Sequence, residues 1–108
     1  GFPEQAANKG DYLLRALTAA LADHPHVGDI RGKGLMCAVE LVQDKSTKQP
    51  FKPSEQIGLR VNQAAIARGL FSRIKGDSYL LAPAIVITTA QIDQAVQILT
   101  ESIRDVLD

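Results

Sequence analysis

The chain has a single cysteine, Cys37, in 108 residues. One thiol allows no internal disulfide, and with no His or Cys close to it in sequence it reads as a small buried hydrophobe within "LMCAVEL". A reducing compartment is expected, and with no signal segment in view, a cytoplasmic one. An excess of charge is equally absent. Lys and Arg together number 12, as do Asp and Glu, which leaves no field to attract nucleic acid or an anionic membrane. No apolar run approaches the roughly 20 residues of a membrane span, and "GFPEQAANKGDY" has neither the basic nor the apolar part of a signal peptide.

The standard chemical motifs are missing too. "RGKG" sets glycines around Lys33 without the strand, loop and helix order of a phosphate-binding loop, so its glycines read as reversal residues. His24 and His26 lie two apart in a proline turn with no third ligand in a recognisable spacing, and a turn is expected there rather than a metal site. No Ser, His and Asp stand at nucleophile-triad spacing.

What is present is a regular alternation of helical and extended patterns. From about Pro3 to Asp23, Leu13, Leu14, Leu17, Ala20 and Leu21 recur at helical spacing, and His24-Pro25 closes the run. "HVGDIRGKGLMCAVELVQD" follows, predicting a short strand, a tight reversal and a longer strand that is apolar on both faces. The polar "DKSTKQPFKP" is a surface connection. A second helix is expected to start near Pro53-Ser54, to carry Ile57, Val61 and Ala65, to be weakened by Gly58, and to stop at Gly69. "LFSRI", the turn "KGDS", "YLLAP" and "AIVIT" read as strands, with Pro83 kinking or dividing the last two. Thr88 and Gln91 have capping-box spacing ahead of a stripe of Ile92, Val96, Leu99, Ile103 and Val106 or Leu107. The expected fold is one α+β domain over residues 1–108, a small, largely antiparallel sheet covered by helices in the order α-β-β-α-β-β-α.

Two charged residues sit in apolar strands. Glu40 needs solvent or a cation, and a basic side chain on a neighbouring strand, Arg31 or Arg73, is the expected partner; nothing else completes a proton-transfer set with it. Arg73 has two readings. It either lays its stem along an edge strand with its head in water, or points into a cleft where its planar fork holds a carboxylate.

"VGDIRGKGLMCAVELV", then "ARGLFSR", then "GDSYLLAPAIVITTAQIDQAVQILTESI" together resemble the C-terminal part of class III pyridoxal-phosphate-dependent aminotransferases, the omega-transaminase group. The shared pattern is R-G-x-G-L with E-L five residues on, G-L before the arginine strand, and A-P-A with I-T opening the last helix. This resemblance implies the C-terminal small domain of a fold-type I enzyme that moves an amino group from an amine or amino acid to a keto acid such as pyruvate. It also implies a homodimeric or tetrameric parent. The lysine that binds the cofactor, the aspartate on its ring nitrogen and the phosphate-binding residues would belong to a large domain outside residues 1–108. Lys9, Lys33, Lys45, Lys48, Lys52 and Lys75 fall on helix, turn or loop in this pattern and inherit no such role. The chain alone is then expected to bind no cofactor, to be inactive, and to self-associate through an apolar face.

The resemblance also sharpens Arg73. With Gly76 three residues on, it matches the arginine that binds a substrate carboxylate, and swings away for uncharged groups, in members acting on amines, diamines or β-amino acids with pyruvate. Leu80-Leu81 stand where acetylornithine-like and γ-aminobutyrate-like members carry an arginine instead. The alternative from another class is a self-standing, ferredoxin-like ligand-binding or regulatory module, and a purely structural dimerisation domain is a third.

Overall fold

A computed structural model describes residues 2–33, 36–82 and 88–108, with side chains described from Asn8 to Gly32 and throughout the two later stretches. Helix α1 (Phe2–Leu21) leads into strands β1 (Val27–Lys33) and β2 (Met36–Leu41), then helix α2 (Ile57–Ala67), strands β3 (Arg73–Lys75) and β4 (Ser78–Leu81), and helix α3 (Thr89–Leu107). The order is the one the patterning predicts. All pairings are antiparallel, and the strands lie side by side as β1-β2-β4-β3. The expected reversal at Gly34 and Leu35, and the strand and Pro83 kink of "PAIVI", fall outside the described residues.

One face of the sheet is covered. Alternation along β2 sends Cys37, Val39 and Leu41 inward, where they join Tyr79 and Leu81 of β4 beneath α1 and α2. Leu13, Leu17 and Leu21 follow one another at four-residue steps on α1 and are buried, a single stripe down the helix. Leu14 is only partly buried and Ala20 is exposed, so the buried stripe is narrower than the spacing suggests. Helix α3 packs against both α1 and α2 through Ile92, Val96, Leu99 and Ile103. Arg68 secures that second contact, reaching Asp105 and Glu101 on α3 while donating to the Ala64 carbonyl at 3.2 Å.

Two long-range bonds tie the beginning of the chain to its end. The Tyr12 hydroxyl donates to Asp93 Oδ1 at 2.8 Å, and His24 Nε2 meets Asp108 Oδ1 at 2.8 Å. His24 Nδ1 accepts the His26 backbone N–H at 3.1 Å. That leaves Nε2 to carry the ring proton and donate to Asp108. His26 Nδ1 contacts the Val42 carbonyl at 3.0 Å. Both histidines therefore hold the turn together, and the described residues contain no metal-binding cluster.

The sequence reading departs from the structure at four places. Strand β1 has seven residues and β2 six, so the glycine-interrupted strand is the longer one. Pro53–Glu55 forms a separate 3-10 turn, and Gln56 takes a left-handed conformation (φ 49°) before α2 begins at Ile57. Strand β3 starts only at Arg73, with Leu70 buried and Phe71 66% exposed. Lys33 and Lys75 are strand residues rather than turn residues.

Helix ends follow their local chemistry. Gly69 (φ 92°) ends α2 by donating to the Ile66 carbonyl at 2.9 Å, and Leu70 donates to Ala65 at 2.9 Å, the paired bonds of a Schellman motif. At α3, Thr88 Oγ1 accepts the Gln91 N–H at 3.1 Å and Gln91 Oε1 accepts the Thr88 N–H at 3.0 Å, a reciprocal capping box. In the connection before α2, Asp44 Oδ1 accepts from Ser46 and Thr47, and these bonds hold its carboxyl below the usual range. Replacing Thr88 with alanine removes one of the two cap bonds and should cost about 1 kcal/mol in urea unfolding.

Candidate functional site

The site is built on the face of the sheet opposite the helices. Register fixes its rows. Arg31, Ala38, Leu80 and Arg73 lie opposite one another across the four strands, and Asp29, Glu40, Ser78 and Lys75 form the next row. Because side chains alternate along a strand, these rows face away from the Val39, Tyr79 and Ile74 row that packs on the core. Ala38 and Leu80 are half-buried, and Met36 is 40% exposed. The face thus carries an apolar pair, Ala38 and Leu80, between two arginines at its edges, with the polar row of Asp29, Glu40, Ser78 and Lys75 beside it.

The two arginines at those edges differ in what they bind. Arg31 Nη1 lies 3.0 Å from Asp29 Oδ2, and its Nη2 is 4.0 Å from Glu40 Oε2. Arg31 is therefore the partner that Glu40 requires, of the two proposed from sequence. Arg73 stands exposed on the edge strand beside Leu80, and no ion pair engages it among the described residues. Its guanidinium is uncommitted.

The β-hairpin that carries Arg73 turns through Gly76 and Asp77. Only the first of these has positive φ, 59°, the φ pattern of a type II′ loop with glycine at its first central position. Its tip is docked on the start of α2. Gln56 offers that helix no side-chain cap; instead Asp77 Oδ1 accepts the Gly58 N–H at 2.8 Å. The Asp77 carbonyl accepts the Leu41 N–H at 2.9 Å, fastening the same turn to the end of β2. A Cβ on Gly58 would stand 2.2 Å from the Gly76 carbonyl oxygen, so only glycine admits this approach. Sequence reasoning treated Gly58 as a weak point in a helix and Asp77 as a generic turn residue. A glycine in a helix's first turn, next to a residue that cannot cap it, is the signal that could have pointed to both.

The remaining candidates are structural. Cys37 is buried with its Sγ 4.0 Å from the Gly10 carbonyl, and burial, with Asp11 adding to it, pushes its thiol up. Lys45 and Lys48 donate to backbone carbonyls, of Ala22 and Gly28 respectively, while Lys52 and Lys75 are exposed. A Schiff-base lysine must present a free amine inside a pocket, and none of these four does, so they do not fit a pyridoxal phosphate site. No helix is long and apolar enough to cross a membrane among the described residues.

The model of the aminotransferase class-III family matches residues 1–103, and the chain belongs to that family. An uncharacterised aminotransferase of Schizosaccharomyces pombe is 39% identical over 108 residues, covering 93% of this chain and 24% of its own length. A diaminobutyrate–2-oxoglutarate transaminase of Halomonas elongata is 36% identical, covering 100% of this chain and 24% of its own. Among solved structures, a thermostable (S)-enantioselective omega-transaminase from Thermomicrobium roseum superposes with a TM-score of 0.89 at 39% identity, over 97% of this chain and 23% of that one. The chain spans about a quarter of the length of the curated relatives it matches. The α+β fold is that of transaminases, and family membership leaves the self-standing ferredoxin-like module without support.

Beneath the site, burial of Tyr79 pushes its phenol up to about 12. The folded pKa lies above the unfolded value of 10.0. The unfolded chain therefore loses the Tyr79 proton first, so the contribution of Tyr79 to stability is full below pH 10 and declines as pH rises toward 12. Urea midpoints measured from pH 9 upward should fall across this window in the native chain, and fall less in Tyr79→Phe.

Proposed function

We propose that this chain is the C-terminal small domain of a pyridoxal-phosphate-dependent class III aminotransferase that moves an amino group from an amine or amino acid to a keto acid such as pyruvate, with Arg73 as the clamp for the substrate carboxylate. The carrying observation is the inequality between the two arginines of the open face. Arg31 is spent on Asp29 and Glu40, while Arg73 is exposed at the opposite edge with no acid partner among the described residues. A planar guanidinium offers a carboxylate two parallel hydrogen bonds, and Leu80 beside it supplies apolar surface for the rest of a small substrate. The relatives support this reading. One is named for a keto acid that carries carboxylates, 2-oxoglutarate.

The cofactor supplies the amino-group chemistry when bound. Its lysine and phosphate ligands are assigned to a large domain outside residues 1–108, and the residues here act on substrate alone. Arg73 binds and orients the carboxylate, and its length and flexibility let it withdraw when a substrate has none, so donor and acceptor can share one pocket. Leu80-Leu81, where acetylornithine-like and γ-aminobutyrate-like members carry an arginine instead, argue against those two substrate groups. We further propose a cytoplasmic homodimer or tetramer as the working form, with Met36 and Ala38 of the open face covered by the large domain.

Borohydride reduction of the full-length gene product with pyridoxal phosphate should leave one stable adduct, on a lysine outside residues 1–108. In the same protein, Arg73→Ala should lower kcat/KM for pyruvate, relative to that for an amine lacking a carboxylate, by about tenfold or more, the scale of losing a charged hydrogen-bonded pair. Arg73→Lys should recover only part of it. An unchanged ratio in Arg73→Ala would remove the clamp role.

A further inference from the structure

Strand β3 has three residues and lies at the edge of the sheet, paired with β4 alone among the described residues. An edge strand this short is held weakly by its own ladder, so where Arg73 stands depends on how the hairpin tip is fixed. Two independent features fix it. The Asp77 carboxylate supplies the cap that Gln56 cannot, at 2.8 Å from the Gly58 nitrogen, in the first turn of α2 where backbone donors lack partners and negative charge is favoured. The missing side chain at Gly58 lets the Gly76 carbonyl approach to a distance that any Cβ would forbid. The Asp77 carbonyl adds a third tie, to Leu41.

We propose that Asp77 is a positioning residue for Arg73: by capping α2 across the Gly58 contact, it sets the height and angle of the hairpin from which the guanidinium reaches substrate. The proposal rests on the clamp reading of Arg73. It gives Asp77 a consequence for substrate choice that an ordinary helix cap lacks. A loosened tip displaces the carboxylate-binding fork, whereas substrates without a carboxylate do not use that fork.

The test uses the full-length enzyme and the ratio of kcat/KM for pyruvate to that for a carboxylate-free amine. Asp77→Ala should lower the ratio about tenfold, the scale on which small misplacements of a binding group act. Asp77→Asn keeps an oxygen to accept from Gly58 and should stay within about threefold of the native ratio. In an Arg73→Ala background, Asp77→Ala should change the ratio little, because the group it positions is gone. An equal loss on both substrates in Asp77→Ala, or the same fall of the ratio with and without Arg73, would reduce Asp77 to a fold element and overturn the proposal. A ratio unchanged by Arg73→Ala alone would instead remove the clamp itself. Should Asp77→Ala fail to fold, Gly58→Ala displaces the tip while leaving the carboxylate in place. It is expected to lower the ratio likewise, and an unchanged ratio there counts against the proposal.

Discussion

The domain depends on covering one face of a four-stranded sheet. Cys37, Val39, Leu41, Tyr79 and Leu81 fill that face under α1 and α2, and because side chains alternate along a strand, a one-residue slip of β2 or β4 would turn that strand's share of them outward. Fixing the register in this way also fixes what the other face displays. Arg31, Ala38, Leu80 and Arg73 share a row on the open side because their neighbours along each strand are committed to the core. The chemistry of the open face is thus set by packing that none of its own residues performs.

The same constraint separates the two arginines. Asp29 and Glu40 lie opposite each other on β1 and β2, close enough to hold Arg31 but three and two strands removed from Arg73. Neutralising one cation while leaving the other uncommitted needs only the placement of acids on the first two strands. Where acids are absent, on β3 and β4, a guanidinium stays available for a charge brought from outside.

Much of this was legible in the sequence because the signals were local. The stripe from Ile92 to Ile103, the Thr88-Gln91 cap, the Gly69 stop and the "KGDS" turn each belong to a few adjacent residues, and each appears where the pattern puts it. Arg73 could be singled out, and Arg31 could be offered as a partner of Glu40, but spacing could not choose between the two arginines. What sequence reasoning missed was non-local. The start of α2 was placed at Pro53 because proline suits a first helical turn, yet the left-handed Gln56 shifts it to Ile57. The cap that start requires comes from Asp77, 19 residues further on. Propensity marks Gly58 as a defect, and only its distance to the Gly76 carbonyl shows why a larger residue is excluded.

The Tyr12–Asp93 and His24–Asp108 bonds join residues 81 and 84 apart in the chain, and α1 packs on α3 between them. On a ribosome adding about 5–20 residues per second, the α3 partners of these bonds emerge roughly 4–17 seconds after Tyr12 and His24 do. For that interval the Leu13, Leu17 and Leu21 stripe has no third helix to meet. Contacts this distant in sequence also carry a loop-closure cost that must be met before they stabilise anything. The last helix is therefore what closes the domain, and until it arrives the first helix has only the sheet to cover its apolar stripe.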